Sequence, residues 1–353
     1  MNKTILSQKE FYLTKQQWFE QFGSSWTLDS LILFLATPFS LAGIILNSLN
    51  FYVLSNKKFK SKIIFSYLKV YSLNSLLLSL TLSTYFNISY NYFDMTNSFL
   101  VRAYSSKVYI PIVTILAFFS GFLDILISVE RLLDFFPGTR KLTSLKSCFI
   151  LMPIVILITL PYFFIYYPAH LDVNLSQKET FRLYYIGLSE FGQSPIGKIV
   201  NFALFFIKDV LVFIAEIVLS IILVVLLRKH TKKKNKVMKT HSIPLTNHQA
   251  SASDSSAPQT SSNPTTTASK KNKSITMMVV VICVFSGFAH VTTIMCNTSL
   301  TIAQNSLSYS FCFGANFFLA FKSFSNFFIF LFFNNLFFNE IIHLLGVRSP
   351  SYV

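Results

Sequence analysis

Charge is scarce in this chain: only 12% of its 353 residues are Asp, Glu, Lys or Arg, about half the share that an ordinary soluble domain carries. A water-soluble globule is therefore excluded on composition alone. Cysteine is scarcer still. The four residues Cys148, Cys283, Cys296 and Cys312 have neither metal-ligand spacing nor the pattern of a disulfide framework. Cys296 and Cys312 fall at the outer ends of the last two apolar spans, where they either bridge or pack as free thiols. The chain does not open on a basic start, a short apolar core and a small-residue cleavage site, so the first span is expected to do its own targeting. HExxH, CxxC, GxSxG and the P-loop are missing, as are paired carboxylates with an aqueous cleft, so an enzyme is disfavoured and no cofactor is expected. Internal repeats are also missing, which weakens a transporter reading.

What the chain has is apolar length: 52% of it is hydrophobic and 40 residues are phenylalanine. About 20 apolar residues cross a bilayer as a helix. Seven segments meet that need, at 31–54, 63–86, 108–130, 147–167, 199–227, 275–296 and 309–333. The expected fold is an all-α membrane protein, a seven-transmembrane helix bundle over 31–333. The net charge of +16 does not point to nucleic acid, because the basic residues flank the spans. Lys57, Lys58, Lys60 and Lys62 lie between spans 1 and 2, and Arg140, Lys141 and Lys146 between 3 and 4. Arg228, Lys229, Lys232, Lys233, Lys234, Lys236, Lys239, Lys270, Lys271 and Lys273 lie between 5 and 6. The alternate loops are poor in positive charge, so the positive-inside rule puts the N-terminus outside and the C-terminus in the cytoplasm. Of the Asn-X-Ser/Thr acceptors, Asn2, Asn87, Asn174 and Asn297 fall outside in this orientation and are candidate glycosylation sites; only Asn272 falls inside.

Residues 1–30 form a polar extracellular segment whose Phe11, Tyr12, Trp18, Phe19 and Phe22 share a helical face, as an interfacial anchor or a lid. The basic third inner loop, 228–273, holds a Ser/Thr/Pro-rich middle that cannot bury a core and is expected to be disordered. That middle is either a phosphorylation site or a plain tether. After span 7, residues 334–353 begin with the apolar run to Phe338 followed by Glu340 and His343, which suits a short amphipathic eighth helix on the inner leaflet and a cytoplasmic tail.

Polar residues inside the spans carry the functional signal, because each is costly facing lipid. Span 3 runs into Ser128-Val129-Glu130-Arg131-Leu132, with Asp124 two turns before Arg131 on the same face. Span 5 carries Lys208, Asp209 and Glu216, span 6 His290, and span 7 Lys322 with Asn326 one turn on. Asp124 is the favoured partner of Lys322, as a switch contact that is costly to break; the alternatives are a static tie or a pairing of Lys322 with Glu216. Lys208, Asp209 and His290 lie in outer halves and are candidates for lining a ligand cavity, against the plain reading of His290 as a packing residue. The many phenylalanines of span 7 read as packing.

These residues resemble the rhodopsin-like G-protein-coupled receptors, and among them the divergent serpentine receptors of roundworms. Gly43-Ile44-Ile45-Leu46-Asn47 is similar to the family's span-1 signature, with Asn47 as its buried asparagine, and Asn74 stands where the family usually has aspartate. Glu130-Arg131-Leu132 resembles Asp/Glu-Arg-Tyr, and Asn326-Phe327-Phe328-Ile329-Phe330 resembles Asn-Pro-x-x-Tyr with Pro and Tyr replaced. The resemblance implies a G-protein-coupling and switch set of Glu130, Arg131, Asn326, Asp124 and Lys322, and a buried polar core at Asn47 and Asn74. The departures are informative. The disulfide that usually ties span 3 to the second outer loop has no cysteines here, span 6 lacks its proline and tryptophan, and no acid lies between Lys270 and Phe288 to latch Arg131. With Asn74 for aspartate the family's sodium site is lost, and the Lys322 ammonium is expected to supply that charge. Val113 and Ala320 stand where amine receptors and opsins need an acid and a lysine, which disfavours amines and retinal.

The resulting expectation is a multi-pass plasma-membrane receptor that takes an extracellular ligand and activates a heterotrimeric G protein. The ligand is a neuropeptide, slightly favoured by the long second outer loop 168–198 and the aromatic N-terminus, or an environmental small molecule, as for a chemoreceptor. An ion channel or transporter using the intramembrane charges and a non-signalling scaffold are the rivals.

Overall fold

The computed structural model describes residues 26–59, 63–91, 99–136, 146–176, 179–241, 264–302 and 306–346. Seven long helical stretches follow one another. They are α1 (Trp26–Leu54), α2 (Ile63–Asn91), α3 (Phe99–Leu133), α4 (Lys146–Thr159, continued by the turn Tyr162–Ile165), α5 (195–241), α6 (Pro264–Ile302) and α7 (Ser306–Phe333), before the shorter α8 (Asn335–Leu344). Six of them carry windows long and apolar enough to cross a membrane, and α4 contributes the shorter apolar helix Ile150–Ile165. The bundle is inside-out relative to a soluble protein. Ile199, Phe202, Ile214 and Ile221 on α5 are exposed while Asp209 and Glu216 on the same helix are buried, the arrangement a hydrocarbon solvent favours.

Local chemistry explains the breaks. Pro161 has no backbone N–H to continue α4 and instead accepts at its carbonyl from the amides of Phe164 and Ile165, starting the extra turn. Ser194 caps α5 by accepting from the Gly197 amide at 3.0 Å, with Pro195 in the first helical turn. Asn334, extended between α7 and α8, accepts from the Phe337 amide at 3.3 Å. Two segments wind as π-turns rather than α-helix: Ser105–Tyr109 in α3 and Phe206–Leu211 in α5.

Between α4 and α5 the second outer loop folds as an antiparallel hairpin, β1 (Tyr166–Ser176) and β2 (Glu179–Leu188), paired from Tyr166↔Leu188 to Ser176↔Glu179 with an irregularity between Asn174 and Ser176. An all-α reading did not anticipate these strands, because hydropathy over the membrane spans says nothing about backbone pairing within a loop. The hairpin end of the bundle is the one expected to face outward, and the α8 end the one expected to face the cytoplasm. At the hairpin end, Lys107 of α3 donates to the carbonyls of Phe163 and Tyr166 at 2.9 and 2.8 Å. That non-covalent staple joins the segments whose cysteine bridge the sequence lacks. Cys296 and Cys312 do form a disulfide, which ties the hairpin-side ends of α6 and α7.

Two corrections concern the expected segments. The third inner loop was expected to lack structure over all of 228–273, but α5 runs as helix to His241 and α6 begins at Pro264. Lysine is a good helix former, and a helix already anchored by packing propagates at little cost. Residues 242–263, the N-terminal aromatics with Asn2, and the tail beyond Gly346 lie outside the described residues. The glycosylation reading changes at Asn87 and Asn297. Asn87 lies inside α2 and its amide donates to the Ser83 carbonyl at 2.8 Å, while Asn297 lies inside α6 and its amide faces Asp209 at 3.4 Å. A sequence triplet does not report helicity: the Asn87 amide is bonded back along its own helix and the Asn297 amide faces α5, so neither lies in a loop. Asn174 lies in β1 and its side chain is outside the described residues.

Two of the glycines set the close approach of one long helix to another. A Cβ on Gly43 would come within 2.6 Å of Ser79 Oγ, so its absence lets α1 lie against α2. A Cβ on Gly121 would meet Val212 at 2.6 Å and the His290 ring at 3.4 Å, so α3, α5 and α6 converge there for lack of a side chain. Toward the α8 end, Phe59, Phe65, Tyr67, Tyr71, Phe118, Phe330 and Phe337 are fully buried in the main hydrophobic cluster. Phe337 of α8 packs edge-on against Phe327 and Phe330 of α7, and Glu340 accepts from Asn56 at 2.6 Å and Lys58 at 2.8 Å. Those contacts dock α8 onto the α1–α2 turn.

Candidate functional site

The polar side chains buried in the bundle assemble into two networks that meet at α7. The first joins α1, α2 and α7 and is neutral. Asn47 donates to the carbonyls of Gly43 and Ser323 at 2.8 and 2.9 Å, Ser323 donates to the Ser75 carbonyl at 2.9 Å, and Ser79 meets Ser323 at 2.7 Å. Since the Ser323 proton is committed to Ser75, Ser79 is the donor in that last pair. Asn326, the expected switch asparagine, donates to Ser75 Oγ at 3.1 Å, and Asn74 donates across to the Leu116 carbonyl of α3 at 3.0 Å. The buried oxygens Asn74 Oδ1 and Asn326 Oδ1 have no hydrogen-bond partner among the described residues.

The second network joins α3, α5, α6 and α7 and is ionic. Lys322 donates to Asp124 Oδ2 at 2.8 Å, to Ser286 Oγ at 2.8 Å and to Ser120 Oγ at 3.1 Å. An ammonium has three N–H donors, so all three are used, and they tie α7 to α3 twice and to α6 once. Lys322 is 4% and Asp124 1% exposed, which leaves neither charge a route to water. Glu216 is not a direct partner of the ammonium. Ser286 stands between them, accepting from Lys322 and donating to Glu216 Oε1 at 2.9 Å.

From Glu216 the chain of charges continues toward the hairpin end. His290 places Nε2 3.6 Å from Glu216 Oε1 and Nδ1 3.8 Å from Asp209 Oδ1. Both ring nitrogens thus face carboxylate oxygens, which only accept hydrogen bonds. Asp209 also has Lys208 Nζ at 3.1 Å and the Asn297 amide at 3.4 Å. Neighbours in an α-helix point about 100° apart, yet Lys208 and Asp209 are both buried. The π-turn that contains them carries an extra residue and brings both side chains inward; such turns concentrate at functional sites. Lys208, Asp209 and His290 are therefore brought together, at one end of a charged path that reaches Asp124 at the other.

Near the α8 end, Arg131 is 3% exposed and donates from Nη1 to Asp134 Oδ2 at 2.8 Å. The motif resemblance singles out Glu130 beside Arg131. The structure adds Asp134, which lies three residues on and therefore on the same helical face. That spacing was the available signal. Ser120, Ser286 and Ser323 were missed for a different reason: serine inside an apolar helix is common and silent until its neighbour on another helix is known. Groups of three or more His, Cys, Asp or Glu that would hold a metal ion are not found among the described residues.

Searches of protein-family models and of curated proteins return no match to this chain. Among solved structures the chain is similar to the crystal structure of squid rhodopsin, with a TM-score of 0.60 over 95% of this chain and 91% of that chain at 14% sequence identity. The likeness carries the fold: a rhodopsin-like seven-helix membrane bundle.

Proposed function

We propose that this chain is a plasma-membrane receptor, N-terminus outside, that binds an extracellular ligand among the outer halves of its helices and activates a heterotrimeric G protein on the cytoplasmic side. The observation that carries the reading is the continuous ionic path from Lys208 and Asp209, through His290, Glu216 and Ser286, to Lys322 and Asp124. It spans four helices and ends two turns from Arg131. A ligand shifts a receptor only through differential affinity for its two states, and a buried ion chain makes those states discrete, since a half-broken pair leaves an uncompensated charge. Ligand contact at the Asp209 end changes the partners of His290 and Glu216, which loosens Ser286 of α6 from Lys322 of α7. The α8-side ends of α5 and α6 then part, and Arg131 exchanges Asp134 for the G protein.

The ligand is a neuropeptide or a small environmental molecule. The test is G-protein recruitment in receptor-null cells exposed to fractionated tissue extract, with and without protease. The wild type is expected to recruit and Arg131→Ala to lose recruitment with surface expression retained. Unchanged recruitment by the alanine variant overturns the mechanism, and protease sensitivity of the response separates the two ligand classes.

A further inference from the structure

Of the nitrogen-bearing side chains in the ionic path, Lys208 is the one with donors to spare. Lys322 has each of its N–H groups on an oxygen, and His290 has a carboxylate opposite each nitrogen. Lys208 has one partner among the described residues, its neighbour Asp209, although its side chain is only 10% exposed. Two N–H donors of this largely buried side chain are thus left for something else. Asp209, in contrast, has neighbours besides Lys208: the Asn297 amide donates to Oδ2 at 3.4 Å and His290 Nδ1 stands 3.8 Å from Oδ1. The donor surplus selects an incoming group that accepts hydrogen bonds and carries negative charge.

The surroundings give that group a body. One helical turn from Lys208 toward the hairpin end, Leu204 is buried in a small cluster with Tyr162 and Ile165, against which Tyr166, Leu188 and Val200 pack. Tyr162 and Tyr166 lie parallel, 6.1 Å between ring centres. Lys208 thus borders a packed apolar and aromatic cluster, and such a border suits an amphiphilic acid, whose apolar part supplies affinity while one charged contact fixes orientation.

We infer that Lys208 is the anchor for a carboxylate on the ligand, carried by a compact aromatic acid or by the C-terminus of a peptide with an apolar last residue. The inference rests on the receptor reading for its biology, but not for its chemistry. A plain self-neutralising Lys208–Asp209 pair predicts no carboxylate binding at all.

The test uses the purified full-length chain in detergent and reads its thermal unfolding midpoint, without any G protein. The probes are phenylacetate against phenylacetamide, and N-acetyl-Gly-Phe acid against its amide. The acid of at least one pair is expected to raise the midpoint by about 2–4 °C at saturation, and the matching amide to leave it unchanged. Lys208→Arg should retain the shift and Lys208→Met should abolish it. Which acid acts separates the small-molecule source from the peptide source. Equal shifts from acid and amide, persistence of the shift in Lys208→Met, or no shift from either acid each overturn the assignment. Should Lys208→Met fail to fold, the acid–amide difference in the wild type and in Lys208→Arg still decides it. Loss of this site leaves the Arg131 experiment untouched, so the two readings fail separately.

Discussion

The two networks in this bundle are built from different materials. Between α1, α2 and α7 the polar interior consists of amides and hydroxyls, and many of its bonds end on backbone carbonyls: Asn47 on Gly43 and Ser323, Ser323 on Ser75, and Asn74 on Leu116 of the adjoining α3. Between α3, α5, α6 and α7 it consists of carboxylates, ammonium groups and an imidazole joined side chain to side chain. A carbonyl is held by its helix and cannot change partner without moving it, so the neutral network fixes packing. A carboxylate or ammonium swings on a long side chain and exchanges partners, but never without one. The ionic network therefore permits rearrangement while forbidding intermediate states, and the helices it joins are those whose motion the proposed mechanism needs.

The sharpest way to break this contrast is to remove one charge from the ionic side. Lys322→Met leaves Asp124 buried and uncompensated, and is expected to cost about 3–5 kcal/mol, read as a collapse of the thermal midpoint and of surface expression. Adding Asp124→Leu should recover most of it, since a matched apolar pair in place of a buried ion pair is often neutral. A single variant as stable as the wild type shows that the pair carries no tie. On the neutral side Asn47→Ala removes hydrogen bonds of moderate strength and should cost about 1–3 kcal/mol, with basal signalling unchanged. Altered basal signalling in Asn47→Ala dissolves the division of labour. Smallest is the Lys58–Glu340 contact at the α8 dock. Lys58 is 63% exposed there, so Lys58→Ala should cost less than about 1 kcal/mol and the effect should shrink further at high salt.

The parts legible in the sequence were those that depend on one residue and its solvent. Apolar runs of membrane length and the charges inside them are readable in order because a charge in hydrocarbon is costly wherever its neighbours lie. Asp124 and Lys322 were also readable as partners, since depth along two straight helices is a matter of counting residues. Counting fails where the helical period changes. Lys208 and Asp209 share the interior only because Phe206–Leu211 is a π-turn, and hydrophobic periodicity does not signal one in a segment that is apolar on nearly every side. The hairpin Tyr166–Leu188 and the helical setting of Asn87 and Asn297 escaped for a like reason: loop pairing and side-chain partners are set by contacts, not by composition.

The chain's own order of residues determined that this is a membrane bundle, where its long helices lie, and which polar groups must be hidden, because each follows from transfer free energy acting on a single segment. Tertiary structure decided who meets whom. Gly121 draws α5 and α6 onto α3, Lys107 staples the hairpin root in place of a cysteine bridge, Ser286 interposes between Lys322 and Glu216, and Cys296 closes on Cys312. These depend on the azimuth and spacing of separate helices, quantities that arise only when the helices pack and that no single segment encodes.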